Sequence, residues 1–168
     1  ATFQTTLADY AEYFPTTDTS ISSGDLVTID PANTNGIIKS SSQSSQKLLG
    51  IVSTNPGFVR HSGRGSHDGD SHYKIIALAG QVPTKVSTEN GSIQKGDYLT
   101  SSSTAGVAMK ATKPGQIVGK ALEDYIGTGL GTINVFINVT FADPNDDTTL
   151  FTRDQNGKAH GIDLALDG

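Results

Sequence analysis

The sequence predicts an all-β protein, a compact barrel or sandwich built from two pseudo-repeated three-strand units with extended segments at both ends. Composition is the first reason, because only 35% of the residues are hydrophobic and 17% are charged, while Gly, Ser and Thr are abundant. That balance favours short strands and many turns. β-branched runs such as TINVFINVTF (Thr132–Phe141) recur along the chain, and three short blocks are repeated in the same order.

The repeated blocks define two units, at about residues 20–57 and 92–125. Three pairs of blocks match: ISSGDLVT (21–28) with IQKGDYLT (93–100), GIIKS (36–40) with GVAMKA (106–111), and KLLGIV (47–52) with QIVGKA (116–121). One such match is expected by chance, whereas three in register indicate an internal duplication.

Each block has a physical interpretation. The Gly-Asp pair of the first block predicts a tight turn in which glycine takes a positive φ and aspartate caps the turn, followed by a short strand. The second block predicts another strand, and the third predicts a strand whose glycine marks a bulge or a close backbone approach. The residues with these structural roles are Gly24, Asp25, Gly96, Asp97, Gly50 and Gly119.

The remaining segments complete the predicted organisation. KIIALAG (74–80) is a strand between the units, and Thr132–Phe141 closes the second unit. Residues 1–8 form an N-terminal extension, residues 9–141 the duplicated β module, and residues 142–168 a polar C-terminal appendage. Only LADYAEYF (7–14) has a helical period.

Several function classes are excluded by composition. The net charge of −5 and the lack of a Lys/Arg stripe argue against nucleic acid as a partner. No apolar run is long enough to span a membrane. Cysteine is absent, which excludes disulfides, thiol nucleophiles and thiolate metal sites. No nucleophile elbow, phosphate-binding loop or dinucleotide fingerprint is present.

Two carboxylates, Asp9 and Glu12, lie within an aromatic run that ends at Pro15. Their spacing would place both on one face of a single helical turn. One interpretation makes them caps that hold an N-terminal strand, with Tyr13 and Phe14 in the core. The other makes them an acid-base pair that cuts the adjacent backbone, one carboxylate acting as general base and the other donating a proton.

The second interpretation rests on a family resemblance. The motifs ADYAEYFPT, SGDLVTID, GIVSTNPGFV, GQVPTKVST, KGDYLTSSSTAGVAMKA and IVGKALEDY are similar to the C-terminal module of secreted bacterial proteins and phage appendages. The best understood branch of that family is the autoproteolytic intramolecular chaperone domain of the pre-neck appendage (tail spike) type. The resemblance implies a glutamic-type autoprotease that turns over once, with Asp9 and Glu12 as its acids and Ala8–Asp9 as the scissile bond.

Two further clusters carry polar ligand atoms. Asp143, Asn145, Asp147 and Asp154 occupy positions 1, 3, 5 and 12 of a calcium-loop spacing and are a candidate calcium site. Thr148 replaces the sixth-position glycine of that loop, so a solvated Asp-rich turn is the alternative. The His- and Asp-rich stretch 61–72 is interpreted as a solvated insertion rather than a zinc site.

Three functions remain open from the sequence. The first is a non-enzymatic assembly module of an extracellular filament, cell-surface protein or phage fibre, which would make homo-oligomers by exchanging its terminal segments. The second is the self-cleaving chaperone that cuts before Asp9. The third is a calcium-dependent adhesive or carbohydrate-binding module. All three predict a location at the cell surface, outside the cell or on a virion.

Overall fold

The structure is a computed structural model that describes residues 9–60, 67–145, 151–153, 156 and 159–161. It confirms the all-β class, and no helix occurs among these residues. The strands are β1 (Asp9–Pro15), β2 (Leu26–Ile29), β3 (Ile37–Lys39), β4 (Leu48–Val52), β5 (Phe58–Arg60), β6 (Tyr73–Ser87), β7 (Tyr98–Ser101), β8 (Ala108–Lys110), β9 (Gly115–Ala121), β10 (Leu130–Ala142), β11 (Phe151–Arg153) and β12 (Ala159–Gly161). The described residues contain no helix that is long and apolar enough to cross a membrane.

Ten of the strands form one sheet organised around β6. Its order is β10-β9-β7-β8-β6-β4-β2-β3, and β10 also pairs with β6, so the strands from β6 through β8, β7 and β9 to β10 close into a ring. β1 pairs antiparallel with β6 and parallel with β5. The 15-residue strand β6 therefore has four neighbours, namely β1, β4, β8 and β10.

The two predicted repeat units share one pattern of strand pairing. In the first, β2 pairs with β3 and β4. In the second, β7 pairs with β8 and β9. That both units arose by duplication stays a prediction from the sequence.

Turns at the start of the two units have the same local geometry. Gly24 and Gly96 have φ values of 78° and 90°, which glycine adopts without the penalty that a Cβ would add. The following aspartates accept hydrogen bonds from backbone N–H groups three residues earlier, Ser22 to Asp25 at 2.9 Å and Gln94 to Asp97 at 2.8 Å.

A close approach between strands occurs at the third strand of each unit. A Cβ on Gly50 would collide with the carbonyl oxygen of Ala77 in β6, and a Cβ on Gly119 would collide with that of Phe136 in β10. Any larger residue at either position would have to push a neighbouring strand away.

The core consists of two apolar clusters. The larger spans both units and includes Leu26, Ile51, Val82, Leu99 and Val135. The smaller contains Ile21, Val27, Ile37, Val52 and Ile76, with Phe14, Leu49 and Leu78 against it.

The helical turn predicted at the N-terminus is wrong, because Asp9–Pro15 is a β-strand. Buried residues Asp9, Ala11 and Tyr13 alternate with the half-buried Tyr10, Glu12 and Phe14. This period of two places side chains three apart on opposite faces of the strand. The long pairing of β1 with β6 prevails over a local helical period.

The described part of the C-terminal tail lies outside the large sheet. β11 and β12 pair with each other as a two-stranded antiparallel sheet, with Thr152 opposite His160. The predicted N-terminal extension, residues 1–8, lies outside the described residues.

Candidate active site

The first strand places Asp9 at a junction of three strands. Gly80 of β6 is the register partner of both Asp9 in β1 and Ile137 in β10. β10 pairs with β6 from Gly80 to Ser87, whereas β1 pairs with it from Tyr73 to Gly80. The backbone nitrogen of Asp9, which belongs to the Ala8–Asp9 bond, therefore lies at the end of the pairing of β1 with β6, where the pairing of β10 with β6 begins.

The segment before β5 fixes the backbone of Asp9. The N–H of Gly57 donates to the Asp9 carbonyl oxygen at 2.9 Å and is also 3.3 Å from its Oδ1. These contacts hold both the main chain and the carboxylate of Asp9 in one orientation.

The other carboxylate oxygen of Asp9 is unusual. Asp9 is only 6% exposed, and its Oδ2 has no hydrogen-bond partner among the described residues. A buried oxygen of this kind carries a desolvation cost, so it calls for a bound water, a bound ion or a chemical role.

This carboxylate lines a polar pocket of about 310 Å³. The other lining residues come from the segment after β4, from β6 and from β10: Ser53, Thr54, Asn55, Gln81, Val82, Pro83 and Asn134. Among the described lining residues Asp9 is the one ionisable group, and the remainder offer mostly hydroxyl and amide groups. Such a pocket can hold several waters next to a base.

Glu12 lies away from this pocket. Its Oε1 accepts a hydrogen bond of 2.6 Å from the hydroxyl of Tyr10, on the opposite face of β1 from Asp9. Glu12 instead lines a second pocket with Tyr13, Phe14 and Tyr73. The expectation that both acids share one face is therefore incorrect, because a strand alternates its side chains.

The structural interpretation of the aromatic run agrees with the packing of two residues. Tyr13 is 6% exposed, and its hydroxyl donates a hydrogen bond to Oδ1 of Asp68. Phe14 packs against the smaller core cluster. His67 stacks on Tyr73 with ring centroids 3.6 Å apart, which ties the described end of the His- and Asp-rich stretch to this face.

The candidate calcium residues are described only in part. Asp143 accepts a hydrogen bond of 2.9 Å from the backbone of Asn145, whose Nδ2 donates to the Thr112 carbonyl at 3.0 Å. Asp147 and Asp154 lie outside the described residues. No group of three or more His, Asp or Glu side chains placed to hold a metal occurs in the described part of the chain.

Comparison with known proteins bears on the first strand. Residues 1–70 match the family model Peptidase_G2, whose description is the IMC autoproteolytic cleavage domain. The resemblance predicted from the sequence is confirmed over this segment. The Peptidase_G2 match contains Asp9, Glu12 and the loop that holds Asp9 in place.

Solved structures share the fold. The chain is similar to the pre-mature bacteriophage phi29 gene product 12, with a TM-score of 0.58 and 17% identity over 80% of this chain and 22% of that one. It is also similar to the C-terminal fragment of the same gene product, with a TM-score of 0.56 and 17% identity over 77% of this chain and 100% of the fragment. The chain thus corresponds to a small part of the whole phage protein. No curated protein matches the chain.

Sequence reasoning did not identify the residues that surround Asp9. Asn55 and Gln81 belong to the motifs NPGFV and GQVPTKVST, which carried the resemblance but were given no role. Asn134 lies inside a run interpreted only as a strand. For Gln81 and Asn134 the available signal was a polar residue at an outward position of an otherwise apolar strand.

Proposed function

We propose that this chain is a self-cleaving intramolecular chaperone domain that hydrolyses the Ala8–Asp9 peptide bond of its own backbone, in an appendage-type protein on a virion. The observation that carries the proposal is the buried side chain of Asp9, which lines a polar pocket and whose Oδ2 has no hydrogen-bond partner among the described residues. The match of residues 1–70 to Peptidase_G2, described as an autoproteolytic cleavage domain, supports self-cleavage in general.

The chemistry follows from the position of the carboxylate. In this proposal the Asp9 carboxylate takes a proton from a water in the pocket as that water attacks the carbonyl carbon of Ala8. The new C–O bond forms, the C–N bond breaks, and the proton passes to the nitrogen of Asp9, which leaves as an amine. The products are a carboxyl group on Ala8 and a chain that begins at Asp9.

Asp9 rather than an Asp9–Glu12 pair carries out the proton transfers in this proposal. Within one chain, Glu12 faces away from the pocket and is hydrogen-bonded to Tyr10. A carboxylate that first accepts and then donates the same proton can serve both halves of the reaction.

Intact mass under denaturing conditions tests the proposal, measured on the chain at intervals after cell-free synthesis. The wild type should lose the mass of residues 1–8, whereas Asp9→Asn should keep a single uncut mass. Asp70→Asn is the matched control, because it replaces an exposed aspartate that does not line the pocket and should be cut normally. A wild-type chain that stays uncut, or an Asp9→Asn chain that is cut, would contradict self-cleavage by Asp9.

A second candidate function is assembly with copies of the same chain. Several large apolar side chains are exposed: Phe58 by 62%, Leu130 by 63%, Phe136 by 47% and Phe141 by 69%. Three of them lie on β10 and one on β5. Exposed apolar groups of this size are typical of interfaces, so a homo-oligomeric fibre or filament module is the function that they favour. Self-cleavage and assembly do not exclude each other, so one protein can perform both.

A further inference from the structure

We infer that residues 138–142 of β10 form an open sheet edge that pairs antiparallel with the same edge of a second copy of the chain, with Thr140 of one copy opposite Thr140 of the other. The inference rests on the second proposed function, assembly with copies of the same chain, and is independent of self-cleavage. It names the surface that joins two copies and the register of their contact.

The open edge exists because β10 is longer than its contact with β6. β10 pairs with β6 up to Ile137, which lies opposite Gly80, and beyond Gly80 β6 pairs with β1 instead. A register shift between Ile137 and Thr140 marks a β-bulge, which bends β10 where it leaves β6. From there to Ala142, β10 pairs with β9 and with no other strand among the described residues. The other side of residues 138–142 therefore presents backbone N–H and C=O groups that no described strand pairs.

Another edge strand of the same sheet is closed by side chains. The hydroxyl of Thr16 donates to the Ile37 carbonyl at 2.7 Å, and the N–H of Lys39 donates to Oδ2 of Asp18 at 3.3 Å. These bonds occupy backbone groups of β3, the last strand of the sheet on that side. Within the described part of the chain, no side chain makes an equivalent bond to residues 138–142.

The composition of the open edge favours a strand as its partner. Natural sheets commonly protect their edges with lysine or proline, but β10 has no charged residue and no proline from Leu130 to Ala142. Asn138, Thr140 and Phe141 are exposed. The edge sequence NVTFA also contains valine, threonine and phenylalanine, which favour strands. A strand that pairs here meets neither a charge nor a missing N–H group.

A second copy of the chain suits this edge because the edge is complementary to itself. When two copies pair antiparallel about Thr140, Val139 of each lies opposite Phe141 of the other, and the two threonines face each other. Aromatic–β-branched pairs and Thr–Thr pairs both stabilise antiparallel strands. Centring the pairing on Val139 would need Ile137, which already pairs with β6. Centring it on Phe141 would bring the charged Asp143 into the ladder.

Sedimentation equilibrium of the whole chain tests the inference, because a charge at Thr140 acts across the twofold axis. Thr140→Lys puts two like charges opposite each other, so the dissociation constant should rise by about tenfold or more. Thr140→Asp should have the same effect. An equimolar mixture of the two variants places opposite charges together and should return to near the wild-type dissociation constant. Thr128→Lys, at an exposed loop threonine, is the matched control and should associate like the wild type.

The outcomes separate this inference from both proposed functions. A wild type that stays monomeric at all concentrations overturns the inference together with assembly. If the wild type associates and Thr140→Lys associates equally tightly, edge pairing is overturned and assembly through another surface stands. If the mixture is as weak as the single variants, the twofold register is overturned. Weak association of each variant alone, restored in the mixture, supports the inference. Intact mass of the same samples reports self-cleavage separately.

Discussion

The Nζ atom of Lys85 lies 2.6 Å from Oδ1 of Asp25, so an ion pair joins the central strand β6 to the first turn of the first unit. Asp25 also lies 3.1 Å from Nζ of Lys39 through its Oδ2. The Asp25 side chain is 2% exposed, whereas Asp97, its counterpart in the second unit, is 20% exposed and pairs with one lysine among the described residues, Lys110 at 2.8 Å. Two equivalent turns thus have very different electrostatic surroundings.

Replacing Asp25 should therefore cost more stability than replacing Asp97. Asp25→Asn removes the charge that two lysines face and weakens bonds to Ser22, and hydrogen bonds to charged groups contribute about 1.5–3 kcal/mol each. We expect the free energy of unfolding in urea to fall by at least about 2 kcal/mol, and by less than half of that for Asp97→Asn. Equal losses in the two variants would contradict the distinction.

The strand glycines give a steric prediction. Gly50→Ala and Gly119→Ala each place a methyl group against a carbonyl of the neighbouring strand. Overpacking of this kind costs about 1–3 kcal/mol, and more where backbone must shift. Thermal denaturation should show a clear drop in melting temperature for both. Gly115→Ala is the control, because its nearest obstacle is the flexible side chain of Gln46. If Gly50→Ala and Gly119→Ala melt at the same temperature as the Gly115→Ala control, the neighbouring strands accommodate the methyl group without cost, and the prediction is contradicted.

The decrease in the free energy of unfolding at acid pH should depend on Asp18. A hydrogen bond from the Ser20 hydroxyl is the main cause that holds the pKa of Asp18 below its ordinary value of 3.8. A lowered folded-state pKa stabilises the protein at pH values above 3.8, and this contribution is lost as the pH falls through the folded-state pKa.

Ser20→Ala should therefore make the free energy of unfolding fall less steeply below pH 3.8, with a small effect because Asp18 is largely solvated. The measurement is urea unfolding at a series of pH values, with Ser41→Ala, an exposed loop serine, as the control. An unchanged slope would mean that the Ser20–Asp18 bond is absent in solution.

Self-association should depend on the exposed aromatic residues of β5 and β10. Phe58→Ser and Phe136→Ser each remove a large apolar group from the surface, so both should shift sedimentation equilibrium toward the monomer. Ile29→Ser tests whether any exposed apolar residue has the same effect, since Ile29 is 51% exposed on β2. A wild type that is monomeric at all concentrations would rule out assembly through this surface.

The candidate calcium site leads to a ligand prediction. If Asp143 and Asp147 bind the ion, millimolar calcium should raise the melting temperature and a chelator should reverse the shift, because a ligand of the folded state stabilises it by mass action. The double variant Asp143→Asn, Asp147→Asn should lose the response. Magnesium serves as the control ion. A melting temperature that does not change with calcium would contradict a calcium site and support the alternative, a solvated Asp-rich turn.

Local sequence patterns predicted the all-β class and the two repeated turns. A few neighbouring residues, here a Gly-Asp pair followed by a β-branched run, are enough to determine the geometry of such a turn. They failed at the first strand, where the period of LADYAEYF suggested a helix but pairing with β6 decided the outcome. The pocket around Asp9 was beyond sequence reasoning for a related cause. Asn55, Gln81 and Asn134 approach it from distant segments, and no spacing in the chain records that proximity.

The shared pairing of Asp9 and Ile137 with Gly80 has a consequence for the order of events during synthesis. The carboxylate emerges from the ribosome early, but the last wall of its pocket is supplied by β10, near the end of the module. Until that strand is translated and docked, Asp9 has no enclosed site in which to act. Under the proposed self-cleavage, the cut before Asp9 is therefore a checkpoint that only a fully folded copy passes.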